Sequence, residues 1–73
     1  MKKIERTYVS SSNLRSVGYD SKNNILEIEF NNGHVYQYYH VPYSLYSGLM
    51  NANSHGIYFS HNIRDKYVTR KII

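Results

Sequence analysis

Cysteine and tryptophan are both absent from this 73-residue chain, and proline occurs once. Without cysteine there is no disulfide, no thiolate nucleophile, no thiol redox chemistry and no cysteine-ligated zinc. The same absence suits a reducing cytosol. No run approaches the roughly 18 apolar residues of a membrane-spanning helix. The opening Met1-Lys2-Lys3-Ile4-Glu5-Arg6 lacks the apolar stretch of a signal peptide. The expectation is a soluble, cytoplasmic protein with no membrane partner. Acidic residues are few, five against nine lysines and arginines, giving a formal charge of +4. Such a surplus concentrates anions around the protein, nucleic acid and nucleotides among them, or simply keeps it soluble.

Signatures of catalysis are lacking too. Serines are plentiful, but there is no Gly-x-Ser-x-Gly elbow and no glycine-rich phosphate loop. Histidines 34 and 40, like 55 and 61, stand six residues apart, where a helical metal-binding pair needs three or four. Glu27 and Glu29, the only closely spaced carboxylates, share one face of a strand and read as solvated. These patterns predict no enzyme, no metal and no cofactor.

Tyrosine is abundant instead. Nine occur, four of them at positions 36, 38, 39 and 43. A tyrosine serves as core filling, as a stacking platform for a base or as a hydrogen-bonding anchor, so its position decides its use. Local patterning supplies those positions. Residues 16–20 read as a strand that enters a turn at Ser21-Lys22-Asn23-Asn24. Ile25 to Phe30 then alternates, with Leu26, Ile28 and Phe30 on one face and Glu27 and Glu29 on the other. Two registers are open at the following turn. A two-residue turn at Asn32-Gly33 sets Tyr36 and Tyr38 opposite Glu29 and Glu27. A three-residue loop with Gly33 left-handed sets them opposite Ile28 and Leu26. The second is preferred, because it gathers five large apolar groups on one surface of a chain whose core stabilises it by only about 3–5 kcal/mol. Gln37 and Tyr39 then face away with the glutamates.

Val41-Pro42 ends this strand, with Pro42 at the start of a helix running to about Asn51. Leu45, Tyr46, Leu49 and Met50 fall at helical spacing within it. Ser54 is the expected N-cap of a second helix that carries Ile57, Tyr58, His61, Ile63 and Arg64. The β-branched tail from Tyr67 to Ile73 suggests a returning strand or an extended arm. The fold class expected is α+β: an antiparallel sheet of three to four strands in the order strand, strand, strand, helix, helix, strand, with two short helices on one face. The whole chain forms one domain. Basic residues cluster near its two ends, at Lys2, Lys3 and Arg6 and at Arg64, Lys66, Arg70 and Lys71, and would merge into one patch if those ends meet.

Taken in order, several elements resemble the KTSC domain, a short module at the C-terminus of some lysyl-tRNA synthetases that also occurs as free-standing small proteins. The matching residues are Ser11-Ser12-Asn13, Val17-Gly18-Tyr19-Asp20, Leu26 to Phe30, Gly33, Tyr36-Gln37-Tyr38, Val41-Pro42, Tyr46 and Leu49. They continue through Ser54-His55-Gly56, Tyr58-Phe59, Ile63-Arg64, Tyr67 and Arg70. The resemblance supports the fold and, through the synthetase, implies RNA as a ligand.

The binding candidates are Ser12, Asn13, Tyr36, Tyr38, Tyr39, Arg64 and Arg70. Tyr36 and Tyr38 are core rings whose hydroxyls emerge at an edge, or base platforms if exposed. Tyr39, on the other face, is the better exposed platform. Arg64 and Arg70 contact phosphate, or pair with a carboxylate such as Asp20 or Asp65. Ser12 and Asn13 form a self-bonded turn or reach a base edge. Three partner classes follow: RNA or another nucleic acid; an anionic nucleotide trapped by a homo-oligomer, possible for a phage-encoded protein; or a protein that docks on the aromatic surface.

Overall fold

The computed structural model describes residues 3–73. Its architecture is α+β, with five strands and two helices. Strands β1 (Arg6–Tyr8), β2 (Leu14–Asp20), β3 (Ile25–Phe30) and β4 (Val35–Tyr38) run in sequence as an antiparallel meander. Helices α1 (Tyr43–Asn51) and α2 (His55–Asn62) follow, and β5 (Thr69–Lys71) returns to pair with β4. The expected order is therefore present, with one strand more than expected. That strand, β1, is three residues long and has no buried side chain to give it a readable period. Its pairing with residues 16–18 of β2 makes it a strand.

The β3–β4 turn adopts the three-residue form. Phe30 N–H donates to His34 O at 2.9 Å, and Gly33 takes the left-handed φ of +91° that glycine accepts without strain. Tyr36 accordingly lies opposite Ile28, and Tyr38 opposite Leu26. Val17, across β3, joins the same face. Helix α1 begins after Pro42, whose extended ψ of 152° makes it the capping residue, one position earlier than expected. Ser54 caps α2 as expected, its Oγ accepting from Ile57 N–H at 3.2 Å. Ile57 itself faces solvent, and Gly56, Phe59 and Ile63 are the residues that this segment buries.

Both helices cover one face of the sheet. The core there comprises Leu14, Val17, Leu26, Ile28, Tyr38, Val41, Leu49, Phe59 and Ile63. Phe59 packs edge-on against both Phe30 and Tyr38, with ring centres 5.5 and 5.6 Å apart, which locks α2 to β3 and β4. A second aromatic group, Tyr19, Tyr43 and Tyr46, holds the start of α1 against β2, with Tyr19 and Tyr46 stacked at 5.1 Å.

The outer face corrects one reading. Glu27 is 6% exposed rather than solvated. It is ion-paired with Arg6 from β1 and accepts from Gln37 Nε2 at 2.8 Å. Arg6 Nε also donates to Ser16 Oγ at 3.0 Å, and Ser16 donates to Glu29 at 2.9 Å. The alternation placed these carboxylates on the correct face; the extra strand covers them. The backbone of Glu5 approaches so closely that a Cβ on Gly18 would overlap its carbonyl oxygen.

The chain ends do not form one basic patch. Strands β1 and β5 are opposite edges of the sheet. Four strand spacings of about 4.8 Å set Arg6 roughly 19 Å from Arg70 along the row Arg6, Gly18, Glu27, Gln37, Arg70. Lys2 lies outside the described residues.

Candidate functional site

A cleft of about 380 Å³ opens between α2, the strands β4 and β5 and the loop before β2. Asn13, Phe30, Tyr36, Tyr38, Phe59, Ser60, Arg64, Asp65 and Thr69 line it. Sequence alone pointed to four of these: Asn13, Tyr36, Tyr38 and Arg64.

Each element brings its residue for a local reason. On β4, positions 36 and 38 share a face because strand side chains alternate, and the loop register makes that the helix-covered face. Tyr38 is 5% exposed, whereas Tyr36 is half-buried at the periphery, its ring edge-on to Phe30 at 5.6 Å. Asn13 sits in a turn closed by Ser11 Oγ, which accepts from the backbone N–H groups of Asn13 (3.2 Å) and Leu14 (3.3 Å). Asn31 Nδ2 donates to the carbonyls of Ser11 and Ser12 and fixes this turn to the β3–β4 loop. Ser12 is exposed beside the cleft and donates to Asn13 Oδ1 at 3.3 Å.

Arg64 and Asp65 come from the turn that ends α2. Ile63 is fully buried, and both Ile63 and Arg64 donate backbone N–H groups to Phe59 O, at 3.0 and 2.9 Å. Lys66 N–H closes the turn on Ile63 O at 3.1 Å, with Asp65 left-handed at φ +62°. Arg64 therefore lies just past the helix rather than within it. Its side chain is 66% exposed and its Nε stands 4.0 Å from Asp65, a contact that contributes little at such exposure. The guanidinium keeps its donors for a ligand.

The Tyr38 hydroxyl is pushed up to about 12, chiefly by burial and then by Tyr36, with Asp65 adding to the rise and Arg64 opposing it. It stays protonated across the physiological range. The shift also predicts a pH dependence. An ordinary tyrosine ionises near pH 10. Because the folded chain holds the proton more tightly, this contribution to stability is complete below pH 10 and is lost between pH 10 and about 12. Urea midpoints should fall over that interval, and Tyr38→Phe should flatten the fall. An equally steep decline in the variant would assign it to other groups, such as Tyr19, which burial and Asp20 also raise.

Tyr39 and Arg70 lie elsewhere. Tyr39 faces away from the cleft, as the register implied, but it is no free platform: it is half-buried and its hydroxyl donates to Gln37 Oε1 at 2.8 Å. Arg70 is in register with Gln37 on the same outer face. Conversely, Thr69 lines the cleft and Lys71 pairs in register with Tyr36, which sets a cation on the cleft side of β5. Sequence reasoning missed Phe30, Phe59, Ser60, Asp65 and Thr69 as site residues, and grouped Lys71 with Arg64, Lys66 and Arg70 as phosphate contacts. The i, i+4 pair Phe59 and Ile63 is a readable signal for the packed side of α2; nothing local marks Asp65 as a site residue. Among the described residues, no group of three or more His, Asp or Glu side chains is placed to hold a metal ion. No helix there is long and apolar enough to cross a membrane.

The profile of the KTSC domain family matches residues 10–67. This chain belongs to the KTSC domain family. A crystal structure of a KTSC domain protein from Yersinia pestis superposes with a TM-score of 0.91 at 42% identity, covering 97% of this chain and all of that one. An uncharacterized protein of Stutzerimonas stutzeri is 38% identical over 64 residues, 88% of this chain and 90% of its own length. A lysine–tRNA ligase of Nostoc punctiforme is 39% identical over 54 residues, which are 74% of this chain and 10% of the ligase. The KTSC domain thus occurs both at the scale of a small protein and as a short part of a much larger enzyme.

Proposed function

We propose that this KTSC domain is a non-catalytic binding module whose cleft holds single-stranded RNA. The observation that carries the reading is the convergence of Tyr36, Tyr38 and Phe59 with Arg64 and Asn13 in one open cleft. Tyr38 and Phe59 form the buried floor and Tyr36 is the accessible ring; single-stranded RNA is recognised by an accessible ring that stacks on a base, a guanidinium for the phosphate, and short polar groups for base edges. Lys71 adds a second cation beside Tyr36. A relative that is part of a lysine–tRNA ligase supports RNA over other anions. The cleft, about 380 Å³, is an open groove at the lower end of the size range of small-molecule sites. The alternative, a homo-oligomer that traps an anionic nucleotide, predicts a larger mass in solution and a nucleotide-induced rise in melting temperature.

Titration of random single-stranded RNA at several salt concentrations tests the proposal. Affinity should be highest at low salt and fall linearly on a log–log plot as counterions are released. Arg64→Ala should weaken binding of all sequences and lower the salt slope by about one. Tyr36→Leu keeps the apolar packing but loses the ring, at a cost of about 1–3 kcal/mol in binding. Arg70→Ala, on the outer face, should matter less. Undetectable binding at the lowest salt would sink the RNA reading. Retention of a nuclease-resistant partner in its place would favour a protein ligand.

A further inference from the structure

An acid in a cleft meant for an anionic polymer needs an explanation. Asp65 lines the cleft, and its carboxylate is 93% exposed. Its backbone is left-handed, a conformation that asparagine and aspartate adopt more readily than other side chains. The turn that imposes it is anchored by buried Ile63 and by the Arg64 and Lys66 backbone bonds, so the backbone of Asp65 is fixed at the cleft rim. The neighbouring Arg64 guanidinium, 4.0 Å away, gives the rim one positive and one negative group side by side. Phosphate is drawn to the first and repelled by the second. The ligand end that meets Asp65 must therefore be a hydrogen-bond donor.

The four bases differ in what they offer there. Guanine presents two parallel N–H donors on its Watson–Crick edge, from N1 and the exocyclic N2, which match the two oxygens of one carboxylate. Adenine and cytosine each present an exocyclic N–H beside a ring acceptor, which repels the second oxygen. Uracil presents a single N–H flanked by two carbonyls. We infer that Asp65 makes this cleft selective for guanine in single-stranded RNA. Asn13, across the cleft, brings a side-chain amide that suits the carbonyl O6 side of the same base. This inference rests on the RNA reading above and gives it a sequence preference.

Four seven-residue RNAs separate the two. One is all uridine; the others carry a single central G, A or C, which avoids association of guanine-rich strands. Anisotropy titrations at low salt should show the G-containing strand binding about tenfold tighter than the other three, within the discrimination a bidentate base contact supplies. Asp65→Asn should abolish that preference, bringing the G-containing strand to the affinity of the A- and C-containing strands measured on the same variant. Asparagine tolerates the left-handed backbone, so the variant folds, and its circular dichroism checks this. Equal binding of all four strands overturns guanine selectivity and leaves the RNA reading standing. So does a guanine preference that survives Asp65→Asn, because another group then makes the choice. No binding of any strand overturns both.

Discussion

Ile28→Ala should lower the unfolding free energy by about 3 kcal/mol, within the ~2–5 kcal/mol range for truncating a fully buried isoleucine. Ile28 is inaccessible to solvent on the central strand β3, with Val17 opposite it on one side and Tyr36 on the other. Strand backbones joined on both edges cannot close in on the lost side chain, so a cavity remains along with the lost transfer energy. A domain of this size has only about 3–5 kcal/mol in reserve from its core. The variant should therefore be largely unfolded, or melt far below the parent, in thermal and urea denaturation. Val68→Ala, at an exposed site, should stay within about 0.5 kcal/mol of the parent. A loss below 1 kcal/mol for Ile28→Ala would mean that the sheet collapses around the gap and that the helices pack loosely.

Arg6→Ala should be the most damaging change on the outer face. Glu27, 6% exposed, has its charge balanced by Arg6, and removal of the guanidinium leaves a buried carboxylate with the Gln37 amide as its remaining side-chain partner. Breaking one side of a buried pair costs about 3–5 kcal/mol. Arg6 is 23% exposed, so water screens part of the charge and a loss of about 2–3 kcal/mol is expected here. Ser16 also loses the Arg6 donor. Arg6→Leu combined with Glu27→Leu should recover much of that loss, because no unpaired charge stays behind. A double-mutant cycle on urea midpoints makes the comparison. If Arg6→Ala alone costs less than 0.5 kcal/mol, the pair is a surface contact and β1 contributes little to the fold.

The elements most legible in the sequence were those whose signal is local. Alternation from Ile25 to Phe30, the left-handed demand at Gly33 and the need for apolar area together selected the register that places Tyr36 and Tyr38 inward. Ser54 announced α2 through its capping chemistry. Strand β1 was not legible, since three residues carry too little periodicity and their partners are eight to twelve positions away. Missing it hid the fate of Glu27, which a reading of charge alone places in water.

The candidate site followed the same division. Tyr36 and Tyr38 were found because one strand's alternation fixes them. Phe59 figured only in the family resemblance, and its place against Phe30 and Tyr38 came from the packing of α2. Asp65 had no local mark as a site residue, and the closing turn after α2 brings it to the cleft; Lys71 was read as one of a basic cluster, and the pairing of β5 with β4 sets it opposite Tyr36. Tyr39 was assigned the correct face, but its exposure was overestimated because Gln37, itself bonded to Glu27, takes up its hydroxyl.

By itself the sequence determined the class of fold and the turn that orients the tyrosines, because periodicity, capping and glycine conformation act between residues a few positions apart; the family was carried by the order of short motifs along the chain. The tertiary structure decided which charges are buried and which are free, that the basic chain ends lie on opposite edges, and which four of the seven candidates share a cleft. Those outcomes depend on strand order and on the return of β5 after both helices, and contacts between residues 20 to 50 positions apart leave no periodic trace in the chain.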